Sequence, residues 1–278
     1  MRTWLKALIA VVCSAYALMA HADFQSDLLK RFPSAQGAKV ARAFPGFWSV
    51  VKGEEIFFVN DDLSILISGN VFDLKNHRSL SDDIRDASRP KLDVKQLDLR
   101  DAIKLGSGSR KLYVFDDPDC PFCRRLEGAL DQLHDVTIYI FPFPLTELHP
   151  NAAGVAEAIW CQRDRAQAWR EYQKLAQDTI PHPTPAVIGG SGVAAQPPAP
   201  TLSLMDAWHD YLHANGQPDQ PTCDNPIARN LALGKTWNIQ GTPALIFQDG
   251  TLIPGSVSVG RIEAQLQQSS GALVGANK

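Results

Sequence analysis

Apolar and polar positions separate this chain into two differently patterned stretches with a charged segment between them. From residue 23 to about 80, Asp27–Phe32 has the spacing of a short amphipathic helix that Pro33 stops. Trp48–Val51, Glu55–Val59 and Ser64–Ser68 read as strands, with Asn60, Asp61 and Asp62 as a hairpin turn. Gly69–Leu74 continues as a further strand. Ser79–Ser88 has the capping residues of a connecting helix ended by Pro90, and Asp98–Leu105 reads as another short helix before the breaker run Gly106–Ser109. The charged segment 81–109 is therefore the expected linker.

From residue 110 the pattern changes. Leu112–Phe115 is an apolar, β-rich run, and Asp116–Asp119 reads as a turn. Helical spacing starts at Pro121, with Phe122, Leu126, Ala129, Leu130 and Leu133 on one stripe. Val136–Phe141 is a second strand, and Ala152–Ala176 is expected as one helix with Trp160, Trp169 and Tyr172 on its buried side. Thr179–Thr201 is rich in Pro, Gly and Ala and reads as a loop. Helices follow over Ser203–Ala214, which Asn215-Gly216 ends, and over Asn225–Trp237. A strand entered through Thr242-Pro243, a hairpin turn at Asp249-Gly250, the strand Leu252-Ile253 and a last helix over Arg261–Gln268 complete the unit. The fold class is α/β (α+β), in two domains: 23–80 and 110–272.

Composition changes this picture little. A formal charge of −3 over 278 residues and the lack of a basic run give no sign of nucleic-acid binding. The N-terminus matters more: Arg2 and Lys6 precede an apolar run from Ala7 to Ala20, and Ala20-His-Ala22 precedes Asp23. That is a secretory leader over residues 1–22, too short in its apolar part for a full membrane span. Its removal takes away two positive charges and Cys13, leaving four cysteines, an even set suited to an oxidising compartment.

The chemistry concentrates at Cys120-Pro121-Phe122-Cys123. Cys120 falls where a strand hands over to a helix, at or near the N-cap, with Pro121 at the first helical position. Free N–H groups and the helix dipole favour a thiolate there, and Arg124 and Arg125 act in the same sense. Asp116, Asp117 and Asp119 oppose them, or serve only to form the turn. Cys123, one turn further on, is close enough to resolve a mixed disulfide. A zinc site would need two more ligands, and no His-x-x-x-His pair lies near the motif. No metal or cofactor is expected. His134, His149, His182, His209 and His213 are scattered without the spacing of a site, and the tryptophans read as core or interface bulk.

Several separated motifs carry a resemblance. Tyr-Val-Phe-x-Asp-Pro-x-Cys120-Pro-x-Cys123, Ala158-Ile-Trp-Cys161, Thr222-Cys223-Asp224 and Gly241-Thr-Pro-Ala-Leu through Gly250-Thr-Leu-Ile-Pro-Gly255 resemble the DsbC/DsbG family of periplasmic disulfide isomerases, which have the thioredoxin fold with a helical insertion, here about 146–222. The stretch 179–201 departs from DsbC. The resemblance implies that Cys120 attacks and Cys123 resolves, that Thr242-Pro243 forms a cis-proline loop against the dithiol, and that Cys161 and Cys223 form a second, structural disulfide. It also implies misfolded disulfide-containing exported proteins as clients, a DsbD-like membrane reductase as electron donor, a homodimer joined through the N-terminal domain, and a periplasmic location. A DsbA-like oxidase and a holdase chaperone with secondary redox activity are the competing readings.

Overall fold

The computed structural model describes residues 24–179 and 203–275. The expected leader, His182 and the Pro-rich stretch beyond Thr179 lie outside them. The chain divides into two compact units at Pro90/Lys91.

In the first unit, residues 24–31 form helix α1. Strands β1 (Lys39–Phe44), β2 (Phe47–Lys52), β3 (Glu55–Asn60) and β4 (Leu66–Ser68) make an antiparallel sheet in that order. Phe24 and Leu28 of α1 pack with Trp48, Val50 and Val59, and Phe24 stacks on Trp48 with ring centroids 4.3 Å apart. The strand read over Gly69–Leu74 is shorter than expected: only β5 (Phe72–Asp73) pairs, with β6 (Arg78–Ser79). The sequence gives no signal for β1, none of whose positions is buried and whose pattern does not alternate. Helix α2 (Leu80–Ser88), capped by the Ser79 side chain, belongs to this unit, where Arg89 pairs with Glu54 and Asp86.

The linker expected over 81–109 is therefore no linker. Its first part is α2, and its second part is built into the next unit. Leu97 and Ala102 are buried there, the Lys91 ammonium lies 2.7 Å from Asp249, and the Leu92 N–H donates to Gly250 O at 2.8 Å. Gly250 has φ +80°, and a Cβ there would come within 2.2 Å of Leu92 O, so this turn requires glycine. The expected helix over 98–105 is a short 3₁₀ turn, Leu99–Asp101, followed by strand β7 (Ile103–Leu105). Ile103 and Leu105 face the core while Lys104 faces out, a period of two that wins over a weak helical pattern.

The second unit is one mixed sheet between helices. It comprises β8 (Arg110–Asp116), α3 (Pro121–Leu130), β9 (Val136–Pro142), α4 (Ala152–Trp160), α5 (Arg165–Thr179), α6 (Leu204–Ala214), α7 (Ile227–Thr236), β10 (Ala244–Phe247), β11 (Leu252–Pro254) and α8 (Val259–Gly275). Strand order is β11-β10-β8-β9-β7, with β8 and β9 parallel and the other pairs antiparallel. β8 and β9 are nearly continuous apolar runs because helices cover both faces of the central sheet. On one face Leu112, Val114, Leu126, Ile159, Trp169, Leu245 and Leu266 pack together; on the other Phe115 stacks on Phe141 at 5.1 Å, with Trp237 beside them. The single helix expected over 152–176 is broken after Trp160, where Cys161 caps α4 and the polar run 162–164 leads into α5. Among the described residues no helix is long and apolar enough to cross a membrane.

Candidate functional site: a dithiol at a helix N-terminus

Strand β8 delivers the chain to the site, and α3 begins there. Cys120 is the N-cap of α3, Pro121 is its first residue, and the Cys120 carbonyl accepts the Arg124 N–H at 3.1 Å. Proline is tolerated at this position because its missing N–H has no partner in the first turn anyway. Cys120 and Cys123 are both free thiols and both buried, 4% and 0% exposed. Phe122 is not on the buried stripe of α3. It is 53% exposed at the open end of the helix, with the Arg125 guanidinium 5.6 Å from its ring, while Cys123, Leu126, Glu127 and Leu130 face inward.

The loop before β10 completes the site. The Thr242–Pro243 peptide bond is cis, and the Cys120 thiol donates to the Thr242 carbonyl at 3.5 Å. The Thr242 hydroxyl is buried without a hydrogen-bond partner, so it is free to turn toward the sulfur once that sulfur is an anion. These surroundings hold the Cys120 thiol down at about 5. A hydrogen bond from Cys123 contributes most, the Thr242 side chain and the amides of Cys123 and Phe122 add to it, and burial works against them. Cys123 is pushed far the other way, chiefly by burial, then by Cys120 and the Asp116 charge. Both sulfurs are buried, and their surroundings favour ionisation at Cys120 and oppose it at Cys123.

Three aspartates read from the sequence as turn formers have separate surroundings. Asp116 ends β8, wholly buried, and neither of its oxygens makes a hydrogen bond. Burial, and after it the Glu127 charge, raises its pKa well above the carboxylate range, while the Cys123 thiol draws it partway back. Asp117 is also wholly buried but fully used: it accepts from Asp119 N at 2.8 Å, Leu145 N at 2.7 Å and the His149 ring at 2.9 Å. It ties the loop 145–149 to the turn. Asp119 accepts from the Tyr172 hydroxyl. Glu127, one turn beyond Cys123, accepts from Trp169 Nε1 at 2.8 Å, and burial raises it to about 7. Sequence patterning gave no signal for Tyr172, Trp169 or Glu127 at this site, since their approach depends on how α5 packs.

Cys161 and Cys223 are joined in a disulfide. It lies at the end of α4 and ahead of α7, away from the dithiol in its contacts: Trp160 Nε1 donates to Asp224 O at 3.2 Å, and Arg165 stacks on Trp160. His209 and His213, read as scattered, stand one turn apart on α6, and His213 lies 2.7 Å from Asp219. Among the described residues no group of three or more His, Cys, Asp or Glu side chains is placed to hold a metal ion.

A parallel-centred sheet with a Cys-x-x-Cys at a helix N-terminus, faced by a cis-proline loop, defines a thioredoxin-like thiol–disulfide oxidoreductase. The chain belongs to the thioredoxin-like domain family, whose model matches residues 97–270. A probable thiol:disulfide interchange protein DsbC of Bordetella parapertussis is 25% identical over 88% of this chain and 75% of its own length. The thiol:disulfide interchange protein DsbC of Escherichia coli is 24% identical over 87% of this chain and 85% of its own length. A crystal structure of a disulfide interchange protein from Neisseria gonorrhoeae is 31% identical, covers 62% of this chain and 98% of that one, and superposes with a TM-score of 0.44.

Proposed function

We propose that this protein is an exported, periplasmic thiol:disulfide isomerase and reductase. The observation that carries this reading is the placement of Cys120 at the N-cap of α3 against the cis Thr242–Pro243 loop, with Cys123 buried one turn further on; these surroundings favour ionisation at Cys120 and oppose it at Cys123. The Cys120 thiolate attacks one sulfur of a misplaced client disulfide. The client S–S bond breaks, a mixed disulfide forms, and the other client sulfur leaves as a thiolate. That thiolate, or another in the client, then displaces Cys120 with new pairing. Alternatively Cys123 loses its proton and attacks Cys120 Sγ, which releases the client reduced and leaves a Cys120–Cys123 disulfide. The high pKa of Cys123 delays this second route and gives the client time to rearrange. Electrons to restore the dithiol would come from a DsbD-like membrane reductase.

Asp116 is the group beside Cys123 that can take its proton. Asp116→Asn should slow reductive release of the client on the order of a hundredfold, the scale of a lost general base, and mixed disulfides should accumulate. Stability gives an independent readout. A carboxyl whose folded pKa is raised contributes its full stability below the ordinary carboxylate pKa and loses it as pH rises toward the folded value. The Asn variant should therefore lose less stability than wild type between about pH 4 and neutrality, as denaturant melts at several pH values will reveal. Equal slopes would remove Asp116 from the mechanism.

Among its described residues the first unit holds no cysteine, and its exposed apolar side chains cluster late in it: Ile65, Leu66, Phe72 and Leu74. β4 is an edge strand of its sheet. An open edge flanked by apolar side chains is a natural place for a second copy to pair, which supports a homodimer. The decisive experiment is reactivation of scrambled ribonuclease by the full-length chain, with its mass in solution measured by sedimentation. Reactivation by a dimer is expected. A chain that only oxidises reduced ribonuclease would favour the DsbA-like oxidase, and one that only suppresses aggregation, with or without its cysteines, would favour the holdase.

A further inference from the structure

The turn before Cys120 is held from outside its own strand and helix. Trp169, Tyr172 and Gln173 of α5 stand at i, i+3 and i+4 and therefore share one face. Trp169 Nε1 donates to Glu127, the Tyr172 hydroxyl to Asp119 Oδ1, and Gln173 Nε2 to the Pro118 carbonyl at 3.3 Å. Two of the three donors thus land on the two residues that precede Cys120. The Tyr172 ring is wholly buried, edge-on to Trp208 with centroids 5.1 Å apart, so the hydroxyl has no route to solvent. From the far side the Arg124 guanidinium donates to the Asp119 carbonyl at 2.9 Å.

We propose that Tyr172 is a positioning residue that keeps Asp119 ionised beside Cys120, and so restrains how far the dithiol can act as an oxidant. This rests on the thiol–disulfide reading above. Burial outweighs the other causes and raises Asp119 above its ordinary value; the phenol O–H, directed at the carboxylate, holds it below where burial alone would put it and so extends the range over which it is an anion. The other charged groups facing Asp119 are Asp117, Arg124 and His149. Around Cys120 stand Cys123, Thr242, the Phe122 amide and Asp116. An anion one residue before the nucleophile opposes a second anion on its sulfur. A less stable thiolate means a less favoured reduced form, and hence a weaker oxidant. Without the hydroxyl, burial shifts Asp119 further toward its neutral form, the opposition weakens and the thiolate gains. By this account the helical insertion, through α5, sets the redox character of the dithiol.

The test is titration of the Cys120 thiolate by its ultraviolet absorbance in the reduced full-length chain. Wild type is compared with Tyr172→Phe, Asp119→Asn and the two combined. Each single change should lower the midpoint by about half a pH unit, the size of one charge acting at roughly 8 Å in a largely hydrated setting. The double variant should go no lower than either single one, since both remove the same charge. Equilibration with glutathione should move each variant toward the dithiol. A wild-type midpoint in Tyr172→Phe, or additive shifts, overturns the proposal. Tyr172→Phe keeps the ring packing; should it still fold poorly, an unchanged midpoint in Asp119→Asn is enough to overturn it. Failure of the thiol–disulfide reading would look different: a wild-type chain that titrates as described but exchanges with no disulfide.

Discussion

Replacing Cys120 with serine should reduce exchange with protein disulfides by at least about a thousandfold. The thiolate is the attacking species, and a serine hydroxyl is not ionised at neutral pH, whatever the helix N-terminus and Thr242 offer it. Cys123→Ser should behave differently. First attack is then intact, resolution is lost, and Cys120 is left bonded to the client. Scrambled ribonuclease incubated with each variant and separated without reductant separates the two cases: adducts with Cys123→Ser, none with Cys120→Ser. Adducts formed by the Cys120→Ser chain would exchange the two roles, against the burial and protonation of Cys123 beside Asp116.

Changing both Cys161 and Cys223 to serine should lower the melting temperature of the second unit by about 10 °C. The bond closes a separation of 62 residues. Constraint of the unfolded chain over such a loop is worth about 4 kcal/mol, and each kcal/mol moves the melting point of a domain this size by about 2–4 °C. The folded state keeps other ties across the same gap, including Asn225 to Glu157 at 3.2 Å, so the variant should still fold. Its exchange with small disulfides in the cold should match wild type, because neither residue contacts the dithiol. A melting curve displaced by less than about 2 °C would mean that these contacts, and not the covalent bond, close the loop.

The dithiol helix was legible because its signals are local. A β-rich run, a cysteine at the cap and proline after it describe Cys120 without reference to distant residues. The strands at 112–115 and 136–141 were legible for the same reason, each being an unbroken apolar run. What was missed depends on tertiary packing. Asp116 reads as a turn former in a row of aspartates, and only the closure of the sheet and helices over it makes it a buried, unmatched carboxyl. Tyr172 lies 53 residues from Asp119 and reads as one more apolar position on a helix. β7 reads as helix in the sequence because Ala102–Leu105 is too short to distinguish a period of two from one of 3.6. Its pairing with β9 decides the matter, with Ile103 opposite Ile140 and Leu105 opposite Ile138.

That last strand also defines what can be moved as a module. A fragment cut just before the dithiol strand, where the sequence suggests the domain begins, would discard β7 and turn β9 from an interior strand into a rim. Val136–Pro142 would then present open N–H and C=O groups along a run of apolar side chains, the kind of edge that recruits another chain. It would also lose the Lys91 and Leu92 ties to the turn at Asp249 and Gly250. The self-contained piece for fusion or domain exchange therefore starts at Lys91, and the charged residues ahead of the dithiol travel with it as the guard of its outer edge.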